Sequence, residues 1–101
     1  MSNSSFQMSN FVPVDGKLVM MGETQVVFSF SSAYSTGILV ELWSDDDNGA
    51  VYQDSKDTQT DGSNEPSLTF DNFPASMNLH YRITVTGEEG SENTVYVSID
   101  W

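Results

Sequence analysis

The chain has 101 residues, the length of one domain, and its 38% hydrophobic and 12% aromatic content is that of a chain that packs a core. Fifteen acidic residues stand against three basic ones, for a net charge of -12; a basic groove for nucleic acid is excluded and an anionic membrane surface disfavoured, while a cationic partner or a metal ion stays open. Cysteine is absent, which removes disulfides, thiolate zinc sites and cysteine nucleophiles.

The charge imbalance reflects missing bases more than added acids. Ser, Thr, Asn and Gln together fill 34 positions. No segment reaches the apolar length of a membrane span. The opening "MSNSSFQMSN" has neither a basic start nor an apolar run, so it is not read as a Sec signal peptide. Its polar composition predicts that residues 1–10 lie outside the ordered fold.

From there the apolar residues alternate in short runs between turn residues, the pattern of strands. Phe11–Val14 is a candidate edge strand, where Pro13 is tolerated. "KLVMM" (17–21) is a second, short candidate. "QVVFSFS" (25–31) turns Val26, Phe28 and Phe30 inward, and "ILVELW" (38–43) turns Ile38, Val40 and Leu42 inward, leaving Leu39, Glu41 and Trp43 outside. A turn at Asp47-Asn48-Gly49 would return the chain along "AVYQ" (50–53), because Asn-Gly tolerates the positive φ of a tight hairpin. "SLTF" (67–70) follows. Then comes "NLHYRITVTG" (78–87) with Leu79, Tyr81, Ile83 and Val85 inward. The last strand is "NTVYVSIDW" (93–101) with Val95, Val97, Ile99 and Trp101 inward. The Gly-rich segment between these two predicts a hairpin that pairs them. The expected architecture is all-β: a single antiparallel β-sandwich of seven or eight short strands, with a small β-barrel as the alternative.

The stretch "LTFDNFPASMNLHYRITVTG" followed by "NTVYVSIDW" resembles immunoglobulin-like and fibronectin-type-III domains. In those families an apolar residue and a proline precede a tyrosine-bearing strand, as Phe73-Pro74 precede Tyr81 here. The resemblance implies a sandwich fold that mostly serves binding. It carries over no functional residue.

Three features bear on function. The first is acidic. Seven of the 15 acids fall within residues 45–65. Asp45 and Asp47, two apart, can point the same way in extended backbone, and Asp54 could close a calcium cage with them, since calcium takes several carboxylate and carbonyl oxygens. The downstream glutamate and flanking helices of an EF-hand are missing. A solvated hairpin turn is the plainer reading.

The second feature is the run from Asp54 to Pro66, 13 residues without a strand pattern. Loops of that length tend to be functional or disordered. With Tyr52, its acids Asp54, Asp57 and Asp61 make a candidate contact surface. The third is Trp43, by alternation an outward aromatic beside polar loops, suited to stacking on a sugar ring or anchoring a protein partner; a bulge before the aspartates would instead turn it onto the core. The lone histidine, His80, reads as an outward polar strand position, and no nucleophile-elbow motif accompanies it.

These residues predict a non-enzymatic binding or structural module acting through protein–protein contacts at a loop end or sheet edge. A calcium-assisted carbohydrate-binding domain is the alternative. An acidic inhibitor mimicking nucleic acid is a minor one. Edge strands leave room for a homo-oligomer.

Overall fold

A computed structural model describes residues 2–33, 37–44, 53–58, 65–71, 78–87 and 93–101. Eight strands run in chain order: β1 (Asn3–Ser9), β2 (Val14–Val19), β3 (Gln25–Ser31), β4 (Gly37–Ser44), β5 (Gln53–Asp57), β6 (Ser67–Asp71), β7 (Asn78–Thr86) and β8 (Thr94–Asp100). They form two four-stranded antiparallel sheets, ordered β1-β8-β3-β6 and β2-β7-β4-β5. The fold is the expected antiparallel β-sandwich, and the sheets do not close into a barrel.

The pairing is nested: β1 with β8, β2 with β7, β3 with β6 and β4 with β5. This is the connectivity of a jelly roll, in which one long antiparallel pair is wound into two facing sheets. It corrects two expectations. The last two strands do not form a hairpin; β7 and β8 lie in opposite sheets. An immunoglobulin order would keep its final two strands together in one sheet, so the likeness is to the sandwich and not to that topology. The physical reason lies in the two strands themselves. Each buries a full apolar face, Leu79, Tyr81, Ile83 and Val85 on β7 and Val95, Val97 and Ile99 on β8. Two such strands can take the central place in facing sheets and meet across the core.

Inward alternation holds in every long strand. Val26, Phe28 and Phe30 of β3 and Ile38, Val40 and Leu42 of β4 are buried as the sequence predicts. At the centre, the Phe28 ring meets Phe70 and Tyr81 edge-on, both at 5.7 Å, the geometry that aromatic quadrupoles favour. Tyr81 lies over Gly16 of the neighbouring strand, where an added Cβ would collide with the Tyr81 Cζ and hydroxyl oxygen. Gly16 is thus the residue that admits a tyrosine into the core at this row. Burial pushes the Tyr81 hydroxyl pKa up from its usual value.

Three further differences from the sequence reading concern edges. Residues 3–9, expected outside the fold, are edge strand β1; Met8 is buried and Phe6 packs against the core. Two apolar side chains at spacing two suffice because β8 supplies a full ladder of partners. At the other sheet's edge, the stretch expected to be loop from Asp54 onward begins as strand β5, Gln53–Asp57. It contains no apolar residue and is held by its ladder to β4. The Thr58 N–H donates to the Ile38 carbonyl at 3.0 Å, and the Ile38 N–H donates to Thr58 Oγ1 at 3.1 Å. Of the predicted return strand 50–53, only Gln53 lies among the described residues. Phe11–Pro13 is a turn rather than an edge strand, and β2 begins at Val14.

That turn carries the chain from one sheet to the other. Phe11 has φ 69°, and its N–H donates to the Val85 carbonyl at 2.8 Å. Asn10 is the one buried polar residue among those described. Its Oδ1 accepts from the Asn93 N–H at 3.2 Å, and Asn93 Nδ2 donates to the Ser32 carbonyl at 3.1 Å. The ends of β1, β3 and β8 are tied together there, and buried amide groups need such partners.

Two stability predictions follow from these contacts. Gly16→Ala should cost about 1–3 kcal/mol by overpacking against Tyr81, and Gly16→Ala with Tyr81→Leu should recover part of that in denaturant melts. Met8→Ala should cost about 2–5 kcal/mol; an unchanged midpoint would put β1 outside the cooperative fold.

Candidate functional site

Strand register decides which side chains share an outer face, because residues directly paired in an antiparallel ladder point the same way. On the sheet β2-β7-β4-β5 two complete outer rows result. One is Lys17, His80, Trp43 and Gln53; the next is Asp15, Arg82, Glu41 and Ser55.

Trp43 faces outward, as the alternation of β4 requires, but is only half-exposed. The His80 ring stacks on it, 5.7 Å between centroids and 15° between planes. His80 is therefore not the bare polar position that its place in the sequence implies; it props the indole from the β7 side. On the β5 side a pocket of about 340 Å³ opens against Trp43, lined by Glu41, Leu42, Gln53, Asp54 and Ser55. That volume sits at the small end of ligand pockets.

The lining is rich in hydrogen-bonding groups and contains no cation. The Glu41 carboxylate accepts, the Gln53 amide and the Ser55 hydroxyl both donate and accept, and the indole adds an apolar face. Asp54 is half-buried, and its Oδ1 accepts from the Ser55 N–H at 2.8 Å. In the adjacent row Arg82 is turned toward Asp15, which it grips through Nε at 2.7 Å and a terminal nitrogen at 3.1 Å. The Arg82 guanidinium holds the Asp15 carboxyl below its usual pKa, and Asp15 in turn raises that of Arg82. The pair is exposed on both sides, so its part is to occupy the arginine rather than to add much stability.

Of the predicted contact residues, Trp43 faces this pocket, while Asp54 borders it but pairs with the buried Leu42 and so turns its side chain to the inner side of β5. Asp57 does not border it: it pairs with Leu39, two rows along the strand from Trp43. Tyr52 and Asp61 lie outside the described residues, as do Asp45 and Asp47 of the predicted calcium cage. Among the described residues no three acidic or histidine side chains are grouped to hold a metal, and no helix is long and apolar enough to cross a membrane. The residues missed from sequence are His80, Gln53 and Ser55. Their signal was the ladder, and it becomes visible only once β5 is recognised as a strand despite having nothing apolar to mark it.

No protein-family model matches the chain, and no curated protein matches it. Solved structures do. A Yersinia pseudotuberculosis-derived mitogen superposes with a TM-score of 0.56 at 7% identity, over 97% of this chain and 84% of the mitogen. A structure from a study of the promiscuous specificity of carbohydrate-binding modules of the β-sandwich superfamily superposes with a TM-score of 0.54 at 13% identity, over 95% of this chain. This chain spans about half of that second structure, 53% of its length. At these identities the likeness is one of fold, and the fold is that of β-sandwich proteins.

Proposed function

We propose that this chain is a non-catalytic binding module for neutral sugars, with the pocket beside Trp43 as its recognition site. The observation that supports this reading is the combination at one spot of a propped indole and a polar, cation-free lining. A sugar ring offers an apolar face and a rim of hydroxyls. The first suits the Trp43 face that His80 leaves open. The second suits Glu41, Gln53 and Ser55, whose mixed acceptors and donors can pair with hydroxyls that both donate and accept. Anionic ligands are opposed by the lining and by the net charge of -12.

Binding in this reading needs no calcium. The likeness to carbohydrate-binding modules adds a compatible scaffold and nothing about which sugar.

Trp43→Ala should weaken binding of short neutral oligosaccharides about tenfold or more, a loss of ~1.4 kcal/mol, in the range of an aromatic stacking contact. The melting midpoint should move little, because the residue lies outside the core. Calorimetric titrations with and without chelator should give one affinity. A calcium requirement would shift the site to the acidic residues 45–47. Equal affinity of wild type and Trp43→Ala for every sugar would remove the pocket from the account.

A further inference from the structure

The opposite outer face, on the sheet β1-β8-β3-β6, is built differently. Register places Ser5, Ser98, Ser29 and Ser67 side by side in one row that crosses all four strands. A solvent-facing sheet row normally carries longer polar or charged side chains. Here the longest group is a hydroxymethyl, so the backbone is nearly bare along the whole row. With strands about 4.8 Å apart, the floor runs about 14 Å between the outer strands. Tyr96, 47% exposed, and Gln7 stand in the next row and wall it on one side. Together with Glu65 and Pro66 they line an open groove of about 600 Å³, well above the volume of the Trp43 pocket.

The hydroxyls are oriented. Asn3 Nδ2 donates to Ser98 Oγ at 3.0 Å and to Asp100 Oδ1 at 2.7 Å. Ser98 has therefore accepted a bond, and its own proton is free for an outside acceptor. Ser5 Oγ donates to Asn3 Oδ1 at 3.0 Å, which leaves its lone pairs for an outside donor. Neighbouring floor positions thus present a donor and an acceptor, the complement of a molecule whose hydroxyls do both.

We infer that this groove binds a neutral polysaccharide strand lying across the four β-strands, a second site separate from the Trp43 pocket. The inference rests on the reading of the chain as a sugar binder and extends it from single rings to an extended polymer. Three observations select this occupant. The serine floor itself holds no charge, and the lining contains Glu65 but no Lys or Arg, so a polyanion has nothing to pair with and meets a carboxylate. An extended peptide would need pockets for alternate side chains, and a serine floor has none. A second copy packing face to face would need interdigitating apolar side chains, which this row does not supply.

The test is native affinity electrophoresis of the full chain in gels containing barley mixed-linkage β-glucan, glucomannan, arabinoxylan or dextran, with polygalacturonate as the anionic control. At least one neutral polymer should retard the protein, and polygalacturonate should not. Ser29→Tyr fills the middle of the floor and should weaken the retardation about tenfold without lowering the melting midpoint; Tyr96→Ala, which removes a wall, provides a second reading should that variant fold poorly. Retardation unchanged in both variants overturns the groove, as does retardation by none of the neutral polymers. A dimer in light scattering that Ser29→Tyr dissociates also overturns it, by making the face a self-interface. Quenching of Trp43 fluorescence by short oligosaccharides is read in parallel: if it persists while the groove fails, only the groove is lost, and if it is absent while Ser29-dependent retardation persists, only the pocket is lost.

Discussion

The contact on which the rest of the molecule depends is the meeting of Phe28 with Phe70 and Tyr81. Phe28 sits in the middle of β3, Phe70 beside it in the same sheet and Tyr81 in the facing one. Three large rings, each at least nine-tenths buried, lock β3, β6 and β7 against sliding. The side-chain period of a strand is two, so a slip of one residue would turn each apolar face outward. Once the rings are placed, every outer row is placed as well. The serine row and the Trp43 row are the other side of the same registers.

This dependence explains what could be read from the chain and what could not. Strands with three or four alternating apolar residues, β3, β4, β7 and β8, were legible with their inward faces correct. β1 was not, because Phe6 and Met8 give only two marks in a serine- and asparagine-rich segment. β5 was not, because Gln53, Asp54, Ser55, Lys56 and Asp57 give none; it exists through its ladder to β4. Strand partnership was the larger gap. Short polar connections look alike whether they join neighbours in one sheet or cross between two, so the glycines after Thr86 suggested a hairpin where the chain crosses to the opposite sheet.

The candidate sites inherit that asymmetry. Trp43 could be placed on an outer face by counting along one strand. Its setting could not, since His80 lies 37 positions later in the chain and reaches it only through the β4–β7 pairing. The serine row takes one residue from each of four strands that are scattered through the chain. No local motif marks it. Edge protection is similarly encoded: Lys56 and Asp54 turn toward the inner side at the β5 edge, with Lys56 Nζ 5.6 Å from the Phe70 ring centre, a charged edge that resists strand addition. The charged edge disfavours strand addition there, and both proposed sites lie on the sheet faces instead.

The most direct test of that account is chemical-shift mapping of the full chain with a neutral hexasaccharide drawn from the polymer that binds best. The account predicts the largest changes at the Trp43 indole N–H, the Gln53 side-chain amide and the backbone amides of Ser29 and Ser98. Changes confined to residues outside both sheet faces, or no changes at millimolar sugar, would contradict it.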